Sequence, residues 1–190
     1  MKILHEFSGA QNYDVEFNDT MKKIYSEKLV RVLKNKKRLE KVLNVQIENR
    51  GREVSIEGTP EDEYLAEKVI DALNFGFPFS EALAIRTEDA LLEIINIKEH
   101  TKRADLPSVR ARIIGKDGKT LKTLSTLTKC ALEIKDNEVG IIGAPELIQN
   151  AQEAIIHLVK GSKQANVYKL LEKRQVMPVT DLGLKETKKK

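Results

Sequence analysis

From residue 119 to residue 130 the apolar positions Leu121, Leu124 and Leu127 recur at the spacing of one helix face. Two short alternating segments follow, at 131–135 and 138–142, and the turn residues Asp136 and Asn137 between them predict a hairpin. Gly143-Ala144-Pro145 then breaks the strand and opens a second helix, with proline near its first turn. Its apolar face holds Leu147, Ile148, Ala151, Ala154, Ile155, Leu158 and Val159, and Gly161 ends it.

An earlier stretch runs in the same order, so the chain contains one unit twice. There the pattern predicts a loop at Lys34-Asn35-Lys36-Lys37, then a short helix through Leu39, Val42 and Leu43. A hairpin pairs 45–48 with 53–57 across Asn49-Arg50-Gly51. Gly58-Thr59-Pro60 echoes Gly143-Ala144-Pro145, and Leu65, Ala66, Val69, Ile70, Ala72 and Leu73 form the matching stripe. Residues 13–17 and 92–97 are the expected opening strands. The predicted order in each copy is strand, helix, loop, helix, strand, strand, helix, with about one helical turn missing from the first.

Between the copies lies Phe75-Gly76-Phe77-Pro78-Phe79, whose rings are expected to pack between the units and fix their orientation. Ser80 is the expected cap of a helix over 81–93. A short helix is expected at 164–174, and 180–190 is polar and ends in three lysines. The expected domains are therefore a first unit at 1–74, a linker with a helix at 75–93, a second unit at 94–163 and a basic tail at 164–190.

With 41% hydrophobic and 33% charged residues, the chain has the composition of a solvated globular protein. No apolar run approaches the roughly 20 residues of a membrane span, and the N-terminus lacks the apolar core of a signal peptide, so a cytoplasmic, monomeric protein is expected. A lone cysteine, Cys130, reads as a small buried side chain. The net charge of +4 is modest, but it is gathered into patches. One lies between Lys28 and Arg52; a second holds Lys102, Arg103, Arg110, Arg112, Lys116, Lys119, Lys122 and Lys129. Such patches fit phosphate binding.

The second patch surrounds Ile113-Ile114-Gly115-Lys116-Asp117-Gly118-Lys119-Thr120. Two glycines bracket a tip that opens a helix, where backbone N–H groups and the positive end of the helix dipole are free to face phosphates. Lys116 and Lys119 add charge. Gly118-Lys119-Thr120 is not the end of a P-loop, because position 113 is isoleucine where that motif needs glycine. With an amphipathic helix, a hairpin and a second helix downstream, the loop resembles that of a KH domain, which implies a clamp on about four nucleotides by their backbone. Ile113, Leu121 and the strand at 131–135 are expected to wall the groove for the bases. The expected RNA-binding residues are Arg110, Arg112, Ile113, Ile114, Gly115, Lys116, Asp117, Gly118, Lys119, Thr120 and Lys122. Lys34, Lys36, Lys37 and Arg38 are expected accessory contacts.

Arg112 to Thr120, Val139-Gly140-Ile141-Ile142-Gly143 and Val167-Tyr168-Lys169-Leu170-Leu171-Glu172-Lys173-Arg174 resemble the archaeal KH proteins related to the Partner-of-Nob and Krr ribosome-assembly factors. That resemblance implies an α+β fold of two tandem type I KH domains, each a three-stranded antiparallel sheet packed against three helices. It also implies binding of single-stranded RNA near the 3′ end of small-subunit rRNA, beside the endonuclease that matures it. The first copy departs from the pattern, since Lys34-Asn35-Lys36-Lys37 stands where the family has a glycine-bracketed loop. An accessory or protein-binding role is expected for it. A scaffold that mainly holds a protein, such as that endonuclease or a translation factor, is the alternative for the whole chain.

No catalytic residue, cofactor or metal is expected. His5, His100 and His157 are far apart and none stands in a triad or metal spacing. At 5% the aromatic content is also too low for a base-stacking platform.

Overall fold

A computed structural model describes residues 22–25, 28–88 and 90–175. In the first unit, β1 (Lys22–Tyr25) is followed by α1 (Leu29–Leu43), β2 (Gln46–Arg50), β3 (Glu53–Glu57), α2 (Pro60–Phe75) and α3 (Phe79–Thr87). The second comprises β4 (Leu91–Asn96), a 3-10 turn at Ile97–His100, α4 (Leu106–Ile114), α5 (Lys119–Thr128), β5 (Ala131–Lys135), β6 (Glu138–Gly143), α6 (Pro145–Lys160) and α7 (Gln164–Gln175). Each unit has one antiparallel three-stranded sheet, in the orders β1-β3-β2 and β4-β6-β5. The fold is thus α+β with two sheets of the same topology.

Both hairpins close on two residues, between the pairs Arg50↔Glu53 and Lys135↔Glu138. Such tight turns need left-handed backbone, supplied by Gly51 at φ 62 and Asp136 at φ 52. Thr59 caps α2 by accepting from the Asp62 amide, and Asp105 caps α4 by accepting from the Ser108 amide, 3.2 Å away. The Ser108 hydroxyl first, and that amide second, hold the exposed Asp105 carboxyl below its ordinary pKa.

Three expectations are corrected, and a fourth falls outside the described residues. The stretch Lys34-Asn35-Lys36-Lys37 is no loop but the middle of the continuous helix α1. It contains no glycine or proline, three of its four residues are good helix formers, and Lys36 pairs with Glu40 one turn on at 3.7 Å. The observed opening strand of the first unit is Lys22–Tyr25, and residues 13–17 lie outside the described residues, as do 180–190. Helix α3 starts at Phe79 with Pro78 in the cap position and no side-chain cap, so Ser80 lies inside it; it stops at Thr87, because β4 takes residues 91–93 into a sheet. Finally, α7 lies within the expected basic tail, yet its Val167 and Leu171 are buried in the core of the second unit.

The alternation of side chains along a strand lets the second sheet serve two cores. Ile95, Leu132, Val139 and Ile141 face the second unit's own helices. On the opposite face Ile142 joins the core of the first unit, and Leu92 and Ala131 pack against it. Gly140 lies on that same face. A Cβ there would stand 2.7 Å from the rings of both Phe75 and Phe77, which stack with centroids 5.7 Å apart. These two phenylalanines do pack between the units, and Phe79 lies beneath Arg38, 4.7 Å from the ring centroid.

Candidate nucleic-acid interface

Helix α4 runs into the loop and α5 runs out of it, so the backbone must reverse within residues 115–118. Gly115 adopts φ 73, ψ 177, a region open in practice only to glycine. Its missing Cβ also makes room inside the protein: one built there would stand 2.0 Å from Thr120 Oγ1. Gly118, at φ 73, ψ 7, is different, for nothing lies within 4 Å of its Cβ position. One glycine lets α4 close on α5; the other leaves the outer surface clear.

Between them Lys116-Asp117-Gly118 makes a 3-10 turn with Asp117 in the left-handed region at φ 54. Gly118 caps α5 without any side-chain hydrogen bond, so the first amides of the helix are not consumed by a capping side chain. Lys116, Asp117, Lys119 and Lys122 are exposed around this end. An electropositive, open helix terminus flanked by exposed ammonium groups is suited to a phosphodiester backbone.

The other expected site residues divide sharply. Ile113 is fully buried, one helical turn from Val109 in the core, and so is no groove wall; Ile114, 37% exposed, is the isoleucine on the surface. Arg110, one turn before Ile114, donates from Nη1 to the Asp136 carbonyl at 2.9 Å, bridging α4 to the β5–β6 turn. Strand β5 is an edge of its sheet, with Leu132 and Ile134 turned to the core. Arg112 is half-buried, and its Nη2 donates to the Ser162 carbonyl at 2.9 Å. Thr120 is buried and accepts from Gln164 Nε2 at 2.9 Å. Gln164, on α7, was not among the sequence candidates.

In the first unit Lys34 and Lys37 are exposed on α1, whereas Lys36 is paired with Glu40 and Arg38 covers Phe79. Lys28 and Arg31, counted in the first basic patch, reach the linker: Lys28 Nζ donates to Phe75 O at 3.0 Å and Arg31 Nη1 to Gly76 O. Across the same junction Glu81 has a raised pKa, chiefly because it is partly buried and secondly because Glu133 is near. Among the described residues no group of three or more His, Cys, Asp or Glu is arranged to hold a metal, and no helix is long and apolar enough to cross a membrane.

A family model described as a eukaryotic type KH domain (KH-domain type I), that of the second KH domain of PNO1, matches residues 91–176. The second unit is thus similar to a PNO1-type KH domain. The match begins at β4 and takes in α7, in agreement with the packing. The chain is 31% identical over 147 residues to the KH domain-containing protein MJ0443 of Methanocaldococcus jannaschii, covering 74% of this chain and 65% of that one. It is 32% identical over 102 residues to the pre-rRNA-processing protein PNO1 of Debaryomyces hansenii, covering 52% of this chain and 40% of the other. The chain thus spans less than two thirds of these curated relatives. A solved complex of a/eIF2alpha, aDim2p and rRNA from Pyrococcus horikoshii contains a chain that matches with a TM-score of 0.75 and 29% identity, covering 84% of this chain and 96% of that one. Taken together, the matches fit an archaeal PNO1-like KH protein.

Proposed function

We propose that this protein grips single-stranded RNA with the Gly115–Gly118 loop of its PNO1-type KH domain and acts in assembly of the small ribosomal subunit, at maturation of the rRNA 3′ end. The observation that carries the reading is the uncapped N-terminus of α5, which lies behind an outer glycine with open space at its Cβ position and beside exposed Lys116 and Lys119. Phosphates would sit against these amides. The bases would lie between α4 and the free edge of β5, past Ile114 and toward Arg110. No step in this reading needs catalysis by the chain, which acts as a binding factor in the cytoplasm beside a maturation endonuclease. Support for the rRNA assignment comes from the relatives called pre-rRNA-processing proteins and from the neighbour solved with rRNA.

We read the first unit as a degenerate type I KH domain in tandem with that of the second unit. Its sheet has the order of the other, but α1 runs unbroken where the clamp would be. Cross-linking the protein to RNA in cells and sequencing the captured fragments tests the assignment. Enrichment near the 3′ end of small-subunit rRNA is expected, and capture spread evenly over all RNA would sink it. A second reading, a scaffold that chiefly holds a protein, is favoured by the translation factor present in the neighbouring complex. Partners that survive ribonuclease treatment, with no RNA cross-linked, would select it.

A further inference from the structure

Gln164 is the first residue of α7, far in sequence from the loop, yet its side-chain amide reaches both ends of it. Nε2 donates to the Arg112 carbonyl at 3.1 Å and to Thr120 Oγ1 at 2.9 Å. A carboxamide nitrogen carries two hydrogens, so one serves the last turn of α4 and the other the first turn of α5. The brace is answered from the other side, where Arg112 Nη2 donates to the Ser162 carbonyl, just before α7. Thr120, the residue held by Gln164, is also the one whose hydroxyl fills the space left by the absent Cβ of Gly115. All three contacts lie on the inner side of the loop, while Lys116, Asp117 and Lys119 on its outer side are exposed.

We propose that Gln164 is a positioning residue of the RNA clamp, so that α7 is a working part of the binding site rather than an appendage of the fold. The inference rests on the proposed RNA-binding role of the loop. A loop with two glycines has many conformations to lose when it closes on a phosphate backbone. Fixing the exit of α4 against the entry of α5 before RNA arrives removes that cost and keeps the α5 amides aimed outward. Because Gln164 is uncharged and acts from inside, it contributes to affinity without adding a phosphate contact.

Gln164→Met keeps the length of the side chain and its helix propensity while removing both donors. Binding is read by fluorescence anisotropy with a labelled pool of short random-sequence RNA, at several salt concentrations, using the full chain. The expected result is a loss of about tenfold in affinity from lost preorganisation. The slope of affinity against salt should be unchanged, since no cation is removed. Hydrogen exchange of the amides at 116–121 should speed up in the free protein, with the thermal midpoint retained. Thr120→Val removes the acceptor from the other partner and should give the same signature, and the double variant should add little to either single one. This second variant keeps the test sharp should Gln164→Met fold poorly. Lys116→Asp with Gly118→Asp runs in parallel. If that pair abolishes binding while both Gln164→Met and Thr120→Val leave affinity and exchange untouched, the positioning role is overturned and the clamp stands. If the pair leaves binding intact, the clamp reading and this inference fall together.

Discussion

The two units have sheets of the same topology and differ in what they hang between the first strand and the hairpin. In the second, residues 97–130 form a 3-10 turn, a helix, a glycine-bracketed loop and another helix; in the first, the described residues 28–45 contain the single helix α1. A sheet of one topology thus tolerates either arrangement, because the strands contact the helices through apolar faces that both supply: Val32, Leu39 and Leu43 in α1, and Val109, Ile113 and Leu124 in α4 and α5. What separates a clamp from a plain helix is whether the backbone can leave the helical region and turn back. Gly115 allows that and Asn35 or Lys36 does not demand it. On the proposed function, the contrast assigns backbone recognition to the second unit and leaves the first with an exposed, basic helical surface.

The strongest way to break this contrast is to destroy the clamp alone. Lys116→Asp with Gly118→Asp exchanges an ammonium for a carboxylate and sets another carboxylate where the surface is open. Affinity for single-stranded RNA should fall by roughly a hundredfold or more. Circular dichroism should remain native, since neither residue is buried and aspartate tolerates the left-handed backbone of Gly118 better than most residues. A gel shift that shows unchanged affinity would refute the contrast at its root.

A smaller effect separates the two glycines. Gly115→Ala meets both a glycine-only backbone conformation and Thr120, and should cost about 3 kcal/mol, or force the loop into another shape. Gly118→Ala meets only the left-handed penalty, about 1 kcal/mol. Thermal unfolding of the two variants should rank them in that order. Equal melting points would mean that the inner and outer glycines do not have distinct jobs.

Much of the shape of the candidate site was legible in the chain because it is set locally. Glycines at 115 and 118, the turn at Asp136-Asn137 and the Pro145-to-Gly161 helix each announce themselves within a few residues. What was not legible depends on partners far away in sequence. Arg112 read as an RNA contact until its side chain is seen on Ser162 O, 50 positions on, and nothing local marks Gln164, 52 positions from the carbonyl it holds. Ile113 and Ile114 are equivalent in composition, and only the path of α4 turns one inward. The unbroken α1 was hidden for a different reason: Lys34-Asn35-Lys36-Lys37 was aligned with a loop, although nothing in it stops a helix. A signal was available in the absence of any glycine between Leu29 and Leu43.

The first unit's remaining contribution can be measured with Lys34→Glu and Lys37→Glu. These are the better pair to change, because Lys36 is engaged by Glu40 and Arg38 covers Phe79. Binding should weaken about three- to tenfold and its salt dependence should flatten, as expected when about one or two phosphate contacts are lost. Anisotropy titrations over a salt series give both quantities. No change in either would make α1 a surface for something other than RNA.

The smallest expected effect lies at the junction that holds the two units together. Partial burial, and then the nearby Glu133, raise the pKa of Glu81, so the folded protein keeps this proton to higher pH than the unfolded chain does. Folding is therefore opposed by ionisation of Glu81. The penalty is absent below the ordinary glutamate range, grows as pH rises from that range through the raised pKa, and is complete above it. Glu81→Gln removes the charge without changing shape, and should stabilise the protein at neutral pH by less than about 1 kcal/mol, given how much of the group still meets solvent. In acid, where wild-type Glu81 is already neutral, the two proteins should melt together. A Glu133→Gln background should shrink the gain at neutral pH, because the like charge is then gone while the burial remains. If the gain instead persists undiminished in acid, the effect of the substitution is packing and not charge, and the junction is set by Phe75, Phe77 and Gly140 alone.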